Sequence, residues 1–157
     1  MRNNITKNQF IDTQTIVIRE MDETHLEQIA LLEKECFFDE AWSYELIKAE
    51  LEDKFKHYFV AEEKNIVLAY GGYAQIVDEA HIMNIAVRKE SRKNGLASKI
   101  LDKMLQDAIE KNIKRATLEV MDTNLGAVAL YEKFGFIYAG KRKNYYRNTH
   151  DAVTYWK

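Results

Sequence analysis

A chain of 157 residues, 46% hydrophobic and 31% charged, is long enough to bury one full core without disulfide or metal staples. Its net charge of −2 argues against a general nucleic-acid binder, which is usually clearly basic. The lone cysteine, Cys36, excludes an intrachain disulfide and a thiolate zinc site; the four histidines lack metal-ligand spacing, so no metal is expected.

Residues 1–13 are polar and without periodicity and read as a loose N-terminal tail, which leaves 14–157 as one domain. The segment Met1-Arg2-Asn3-Asn4 opens no apolar signal core, and no stretch approaches the roughly 18 apolar residues of a membrane span. A cytoplasmic protein without membrane contact is expected. Residues 15–19 form a short first strand. Asp22 then offers an N-cap to a helix carrying Leu26, Ile29, Ala30, Leu32 and Glu33 at helical spacing. An aromatic link, residues 37–42, is a candidate substrate wall as well as a piece of core. Ser43 caps a second helix with Leu46, Ile47 and Leu51 on one side.

Residues 57–62 and 66–77 are two apolar runs at hairpin spacing, and Gly71-Gly72 inside the second suggests a bulge or bend. Residues 80–87 form a central strand. A helix opening at Leu96 carries Ile100, Leu101, Met104, Leu105, Ala108 and Ile109 on one face and ends by Asn112. A strand over 115–121 follows, then a helix over 124–134 closed by Gly135. Two last strands span about 136–144 and 151–156. The order β-α-α-β-β-β-α-β-α-β-β gives an α/β (α+β) fold, a mixed sheet flanked by about four helices.

The informative stretch is 82–101, where the central strand passes through a basic turn into the long helix. Such a junction gathers unpaired backbone N–H groups and a positive dipole end at one point, which suits an anion and above all phosphate. Gly95 and the small Ala97 let a ligand approach the backbone, and Arg92 and Lys93 supply charge. Solvated basic residues on an ordinary loop would look the same from this stretch alone. The Gly-Lys-Ser/Thr ending of a Walker loop is absent, as is the three-glycine dinucleotide fingerprint. Elsewhere, Glu119 is a carboxylate in an otherwise apolar strand, able to take a proton if partly buried. Tyr131 lies on a helical apolar stripe and reads either as a core tyrosine or as a hydroxyl facing a leaving group. Asn124 sits two turns earlier on the same face, where it can line a cleft or cap the helix.

Several segments together resemble the GNAT superfamily of acetyl-CoA-dependent N-acetyltransferases. They are Asn84-Ile85-Ala86-Val87, Arg92-Lys93-Asn94-Gly95-Leu96-Ala97, Leu118-Glu119-Val120, Asn124 and 129–136 (Ala-Leu-Tyr-Glu-Lys-Phe-Gly-Phe). Within it, Ala41-Trp42-Ser43, Asp78-Glu79-Ala80 and Asn144-Tyr145-Tyr146 add a closer likeness to the RimI type, enzymes that acetylate the N-terminal alanine of a small-subunit ribosomal protein. The resemblance implies a GNAT fold with a mostly antiparallel sheet and acetyl-CoA as acetyl donor. The backbone of Ile85, Ala86 and Val87 would pair with the pantetheine arm. Arg92, Lys93, Asn94, Gly95, Leu96, Ala97 and Ser98 would hold the pyrophosphate, and Asn124 would sit near the thiol. Glu119 would be the general base and Tyr131 the general acid.

Two positions depart from the pattern: Ala97 stands where many members have glycine, and no proline precedes Trp42. The implied partner is the N-terminus of a ribosomal protein, with no direct nucleic-acid binding, and the protein is expected to be a monomer or weak dimer. A small amine such as a polyamine or aminoglycoside is the alternative acceptor. A non-catalytic acyl-CoA sensor is the alternative outside enzymes.

Overall fold

The computed structural model describes residues 15–146 and 150–157. The expected tail over 1–13 lies outside the described residues, as do the side chains of Asn144, Tyr145 and Tyr146. Within these residues seven strands form one sheet: β1 Val17–Glu20, β2 Lys56–Glu63, β3 Ile66–Ile76, β4 Glu79–Val87, β5 Arg115–Met121, β6 Ile137–Tyr146 and β7 His150–Trp156. Among the described residues four α-helices flank it: α1 Leu26–Phe37, α2 Tyr44–Glu52, α3 Leu96–Glu110 and α4 Leu125–Lys133. The sheet order is β1-β2-β3-β4-β5-β7-β6, and every neighbouring pair is antiparallel except β4–β5. The expected element order and sheet class hold.

Local signals explain the helix starts. Asp22 accepts the Thr24 amide at 2.9 Å, and the buried His25 ring accepts the Asp22 amide at 3.0 Å; a short 3-10 turn thus leads into α1. Ser43 Oγ accepts the Leu46 amide at 3.2 Å and starts α2. Gly135, at φ +89°, follows α4 in the left-handed conformation its sequence position implied.

The two faces of the sheet carry separate cores. Ile100, Leu101 and Met104 of α3 are fully buried on one face, against Phe59, Tyr73, Ile82, Leu118 and Val120. On the other face Leu26, Ile29 and Leu32 of α1 and Ile47 of α2 cover Tyr58, Val60, Tyr70 and Ala86. Each buried Leu, Ile, Val, Met or Phe side chain among these stabilises the fold by about 1.5–3 kcal/mol through area removed from water. Asp107 ties the last turn of α3 to β3: it accepts the Tyr73 hydroxyl at 2.6 Å and Lys111 Nζ at 2.7 Å.

The irregularity expected at Gly71-Gly72 exists, but the extra residue is in the facing strand. Gly71 pairs with Ile85 and Tyr73 with Ile82, so Met83 and Asn84 stand opposite Gly72 alone. The glycines serve close approach. A Cβ on Gly71 would lie 2.8 Å from Ile100 Cγ2 and 3.0 Å from Ile85 Cγ1, and one on Gly72 would enter the Tyr58 ring.

Candidate active site

The parallel neighbours β4 and β5 pair only at Glu79–Arg115, Ala80–Ala116 and His81–Thr117. Beyond that point β4 stays on β3 as far as the Val87–Ala69 pair, and β5 stays on β7 as far as Met121–Ala152. The sheet therefore opens into a wedge. Into it faces a cavity of about 530 Å³, walled by the end of β4, the turn after it, the first turn of α3, the near side of α4 and the end of α1. Of the residues singled out in the sequence, Ile85, Ala86, Val87, Arg92, Lys93, Gly95, Leu96, Ala97, Ser98, Asn124 and Tyr131 line it. Asn94 and Glu119 do not.

The β4–α3 turn is shaped by two left-handed residues, Lys93 at φ +65° and Gly95 at φ +76°. Gly95 explains itself in the sequence, whereas a lysine in this conformation gives no sequence signal. Asn94 does not face the cavity because its side-chain NH2 donates to the carbonyls of Ser91 and Arg92, at 3.1 and 3.0 Å, and braces the turn. No side chain caps α3, and its first turn has no acidic residue. Its first amides therefore point into the cavity wall without intrahelical partners, beside the positive end of a 15-residue helix. A Cβ on Gly95 would meet nothing within 4 Å, so the approach to those amides is open.

Arg92 lines the cavity, but its guanidinium is already engaged. Nε donates to the Val87 carbonyl at 3.1 Å, and NH2 lies 3.5 Å from Cys36 Sγ. Cys36 Sγ donates to the same carbonyl at 3.4 Å. This carbonyl lies on the β4 edge that β5 has left, so the arginine satisfies a strand edge as well as adding charge. The thiol is in the cavity wall. Burial pushes its pKa up, with Arg92 partly opposing, so it stays protonated at neutral pH and is a poor nucleophile.

Glu119 is half-buried on β5. Its neighbours Leu118 and Val120 belong to the core under α3. Period-two alternation therefore turns Glu119 to the opposite face, the α1 and α2 side. Cys36 and Phe37, at the end of α1, form the cavity wall on that same side. Tyr131 is 7% exposed, packs edge-on against Phe136 with ring centroids 5.6 Å apart, and still reaches the cavity lining. It is thus both core tyrosine and cavity residue. Asn124 likewise fills both of its expected places: its Oδ1 accepts the Ala127 amide at 3.2 Å, capping α4, and the residue lines the cavity.

Sequence reasoning missed Cys36, Ser91, Gly126, Ala127 and Leu130 as cavity residues. Ala127 and Leu130 were legible only as an apolar helix stripe, which looks the same whether it covers a core or a cleft. Phe37 carried a signal in its aromatic link, whose candidate role as a wall applies to this residue.

Comparison with known proteins agrees with this geometry. Residues 23–136 match the model of the acetyltransferase (GNAT) family. A Bacillus subtilis protein, a candidate ribosomal protein bS18-alanine N-acetyltransferase, is 36% identical over 121 residues, covering 76% of this chain and 80% of that one. The Escherichia coli K12 ribosomal protein bS18-alanine N-acetyltransferase is 36% identical over 74 residues, 47% of this chain and 50% of its own length. A crystal structure of the E. coli ribosomal-protein-S18-alanine N-acetyltransferase superposes with a TM-score of 0.82 at 26% identity, over 90% of this chain and 92% of that one. With a family model matching well over half its length and an element order and parted-strand wedge to go with it, the chain belongs to the GNAT family of acetyltransferases, and its likeness within that family is to the RimI type.

Proposed function

We propose that this acetyltransferase moves the acetyl group of acetyl-CoA to an N-terminal α-amine, that of alanine at the start of a small-subunit ribosomal protein. The observation that carries the acyl-CoA part is the uncapped start of α3 opening into the wedge between β4 and β5. A diphosphate fits those free amides, and an extended arm fits along the edge of β4 at Ile85 and Val87 that β5 has left. Lys93, Gly95, Leu96, Ala97 and Ser98 would hold the phosphates, with Asn124 nearer the thiol. The thioester supplies an acetyl group activated for attack by nitrogen. The ribosomal acceptor is supported by the likeness to the B. subtilis and E. coli proteins.

Each side chain then has one task. Glu119, on the α1 side of the wedge, takes the proton of the incoming ammonium so that the nitrogen lone pair is free. The N–C bond forms as the C–S bond breaks, the Tyr131 hydroxyl gives its proton to the departing sulfur, and the second proton that the nitrogen sheds on becoming an amide restores the Tyr131 hydroxyl. Holding both reactants in one cleft supplies much of the rate, and the protonated Cys36 argues against a covalent relay.

The acceptor preference has a physical basis. An α-amine has a pKa of about 7.7–8.0 and a lysine about 10.4, so about 10% of the former and below about 0.1% of the latter is neutral at pH 7. One glutamate suffices for the first far more readily. The test is to incubate the protein with acetyl-CoA and, separately, an Ala-initiated peptide, a polyamine and an aminoglycoside. Acetylation of the peptide N-terminus is expected. Acetylation of the amines alone would overturn the N-terminal acceptor, and no product at all would leave an acyl-CoA sensor.

A further inference from the structure

Glu33, one turn before the end of α1, is 0% exposed, and no cation pairs with it among the described residues. A buried carboxylate is tolerated only when its oxygens are hydrogen-bonded. One oxygen accepts the Tyr70 hydroxyl of β3, and the other accepts the Trp42 backbone N–H at 3.1 Å. Tyr70 is paired with Ala86 on β4, so the fixed end of this clamp stands directly behind the strand that lines the cavity.

The other end holds the exit of an exposed turn. Between Phe37 in the cavity wall and Trp42, the chain makes a 3-10 turn, Phe38–Glu40, that contains no buried residue. Phe38 is 79% exposed and sits at φ +47°, a strained conformation for a side chain of its size. The turn is tethered at both ends, to α1 on one side and through the Trp42 amide on the other. Glu33 joins them. The sequence shows only a glutamate on the apolar stripe of a helix, a rule-breaking residue that helix patterning alone does not explain.

We propose that Glu33 is a positioning residue for the acceptor: by fixing the Trp42 amide to the centre of the sheet it shapes residues 38–41, and so the mouth through which the amine reaches the acyl group. This rests on the reading of the wedge as the acyl-transfer site with the amine entering from the α1 side, where Glu119 faces. A carboxylate that merely stabilises the core would change melting temperature and leave acceptor kinetics alone.

The test compares Glu33→Ala and Glu33→Gln with wild type. The glutamine oxygen still accepts the Trp42 amide while its NH2 donates to the Tyr70 oxygen. Glu33→Ala should raise acceptor KM about tenfold or more, with kcat and acetyl-CoA KM each within about threefold, and Glu33→Gln should return acceptor KM to within about threefold of wild type. Hydrogen exchange at the Trp42 amide should quicken about tenfold or more in Glu33→Ala and stay slow in Glu33→Gln. If the alanine variant does not fold, Glu33→Asp, one methylene too short to reach both partners, takes its place with the same expected rise. The acceptor is whichever amine the wild type acetylates, so failure of the N-terminal reading shows in wild type alone and leaves this comparison standing. Unchanged acceptor KM, or unchanged Trp42 exchange, in a folded variant would overturn the role of Glu33. A wild-type protein that acetylated no amine would remove it as well.

Discussion

His81 of β4 pairs with Thr117 of β5, and this is the last pair that the two strands make. Six more residues of β4 and four of β5 then run apart, and the site lies in the gap. Parallel neighbours part here because the Met83-Asn84 bulge redirects β4, while the core side chains Leu118 and Val120 keep β5 over α3.

Glu119→Gln keeps the shape of a half-buried side chain and removes its basicity. Turnover should fall, and the acidic limb of the rate–pH profile should vanish, while acetyl-CoA affinity by calorimetry stays within about twofold. A variant with the wild-type rate at every pH would strip Glu119 of its role as base.

Tyr131→Phe keeps the ring packed on Phe136 and deletes only the hydroxyl. Single-turnover acetyl transfer should slow about tenfold or more, with little change in melting temperature. An unaltered rate would return Tyr131 to the core alone.

Gly71→Ala places a methyl 2.8 Å from Ile100 and 3.0 Å from Ile85, between α3 and the bulge of β4. Overpacking of this kind costs about 1–3 kcal/mol, or a fall in Tm of about 3–10 °C, and it should also weaken acetyl-CoA binding because Ile85 lines the cavity. Calorimetric scans and titrations of both proteins check this. A variant with wild-type Tm would show that the contact relaxes freely.

Burial tends to raise the Asp107 pKa, but hydrogen bonds from Lys111 and Tyr73 outweigh it and hold the carboxyl below its ordinary value. A folded-state pKa below the unfolded one stabilises above the unfolded value and is lost as pH falls through the folded value. Relative to Asp107→Asn, wild type should be more stable near pH 6, and the gap should close below about pH 4. A gap in Tm that stays constant down the acid range would contradict the ion pair's contribution.

The fold was legible because its signals are local. Ser43, Asp22, Gly135 and the α3 stripe each mark an element by capping or period, and the order of elements then limits the sheet. Gly95 and the Leu96 helix start made the anion turn legible in the same way. What stayed hidden depends on distant residues meeting. Nothing near Asn94 shows that its amide braces the turn, and nothing near Arg92 shows that it caps the free edge of β4 beside Cys36. The extra residue of β4 was masked because the glycines that mark it belong to the facing strand.

One crystal structure would test the assignment most directly: the protein bound to CoA covalently joined through an acetyl bridge to the N-terminus of an Ala-initiated peptide. The diphosphate should sit on the amides of residues 93–98 and the arm along Ile85 and Val87. The peptide nitrogen should lie within direct or one-water reach of the Glu119 carboxylate, and the sulfur beside the Tyr131 hydroxyl. A diphosphate bound elsewhere, or a nitrogen on the α3 face of the sheet with Glu119 behind it, would contradict the mechanism.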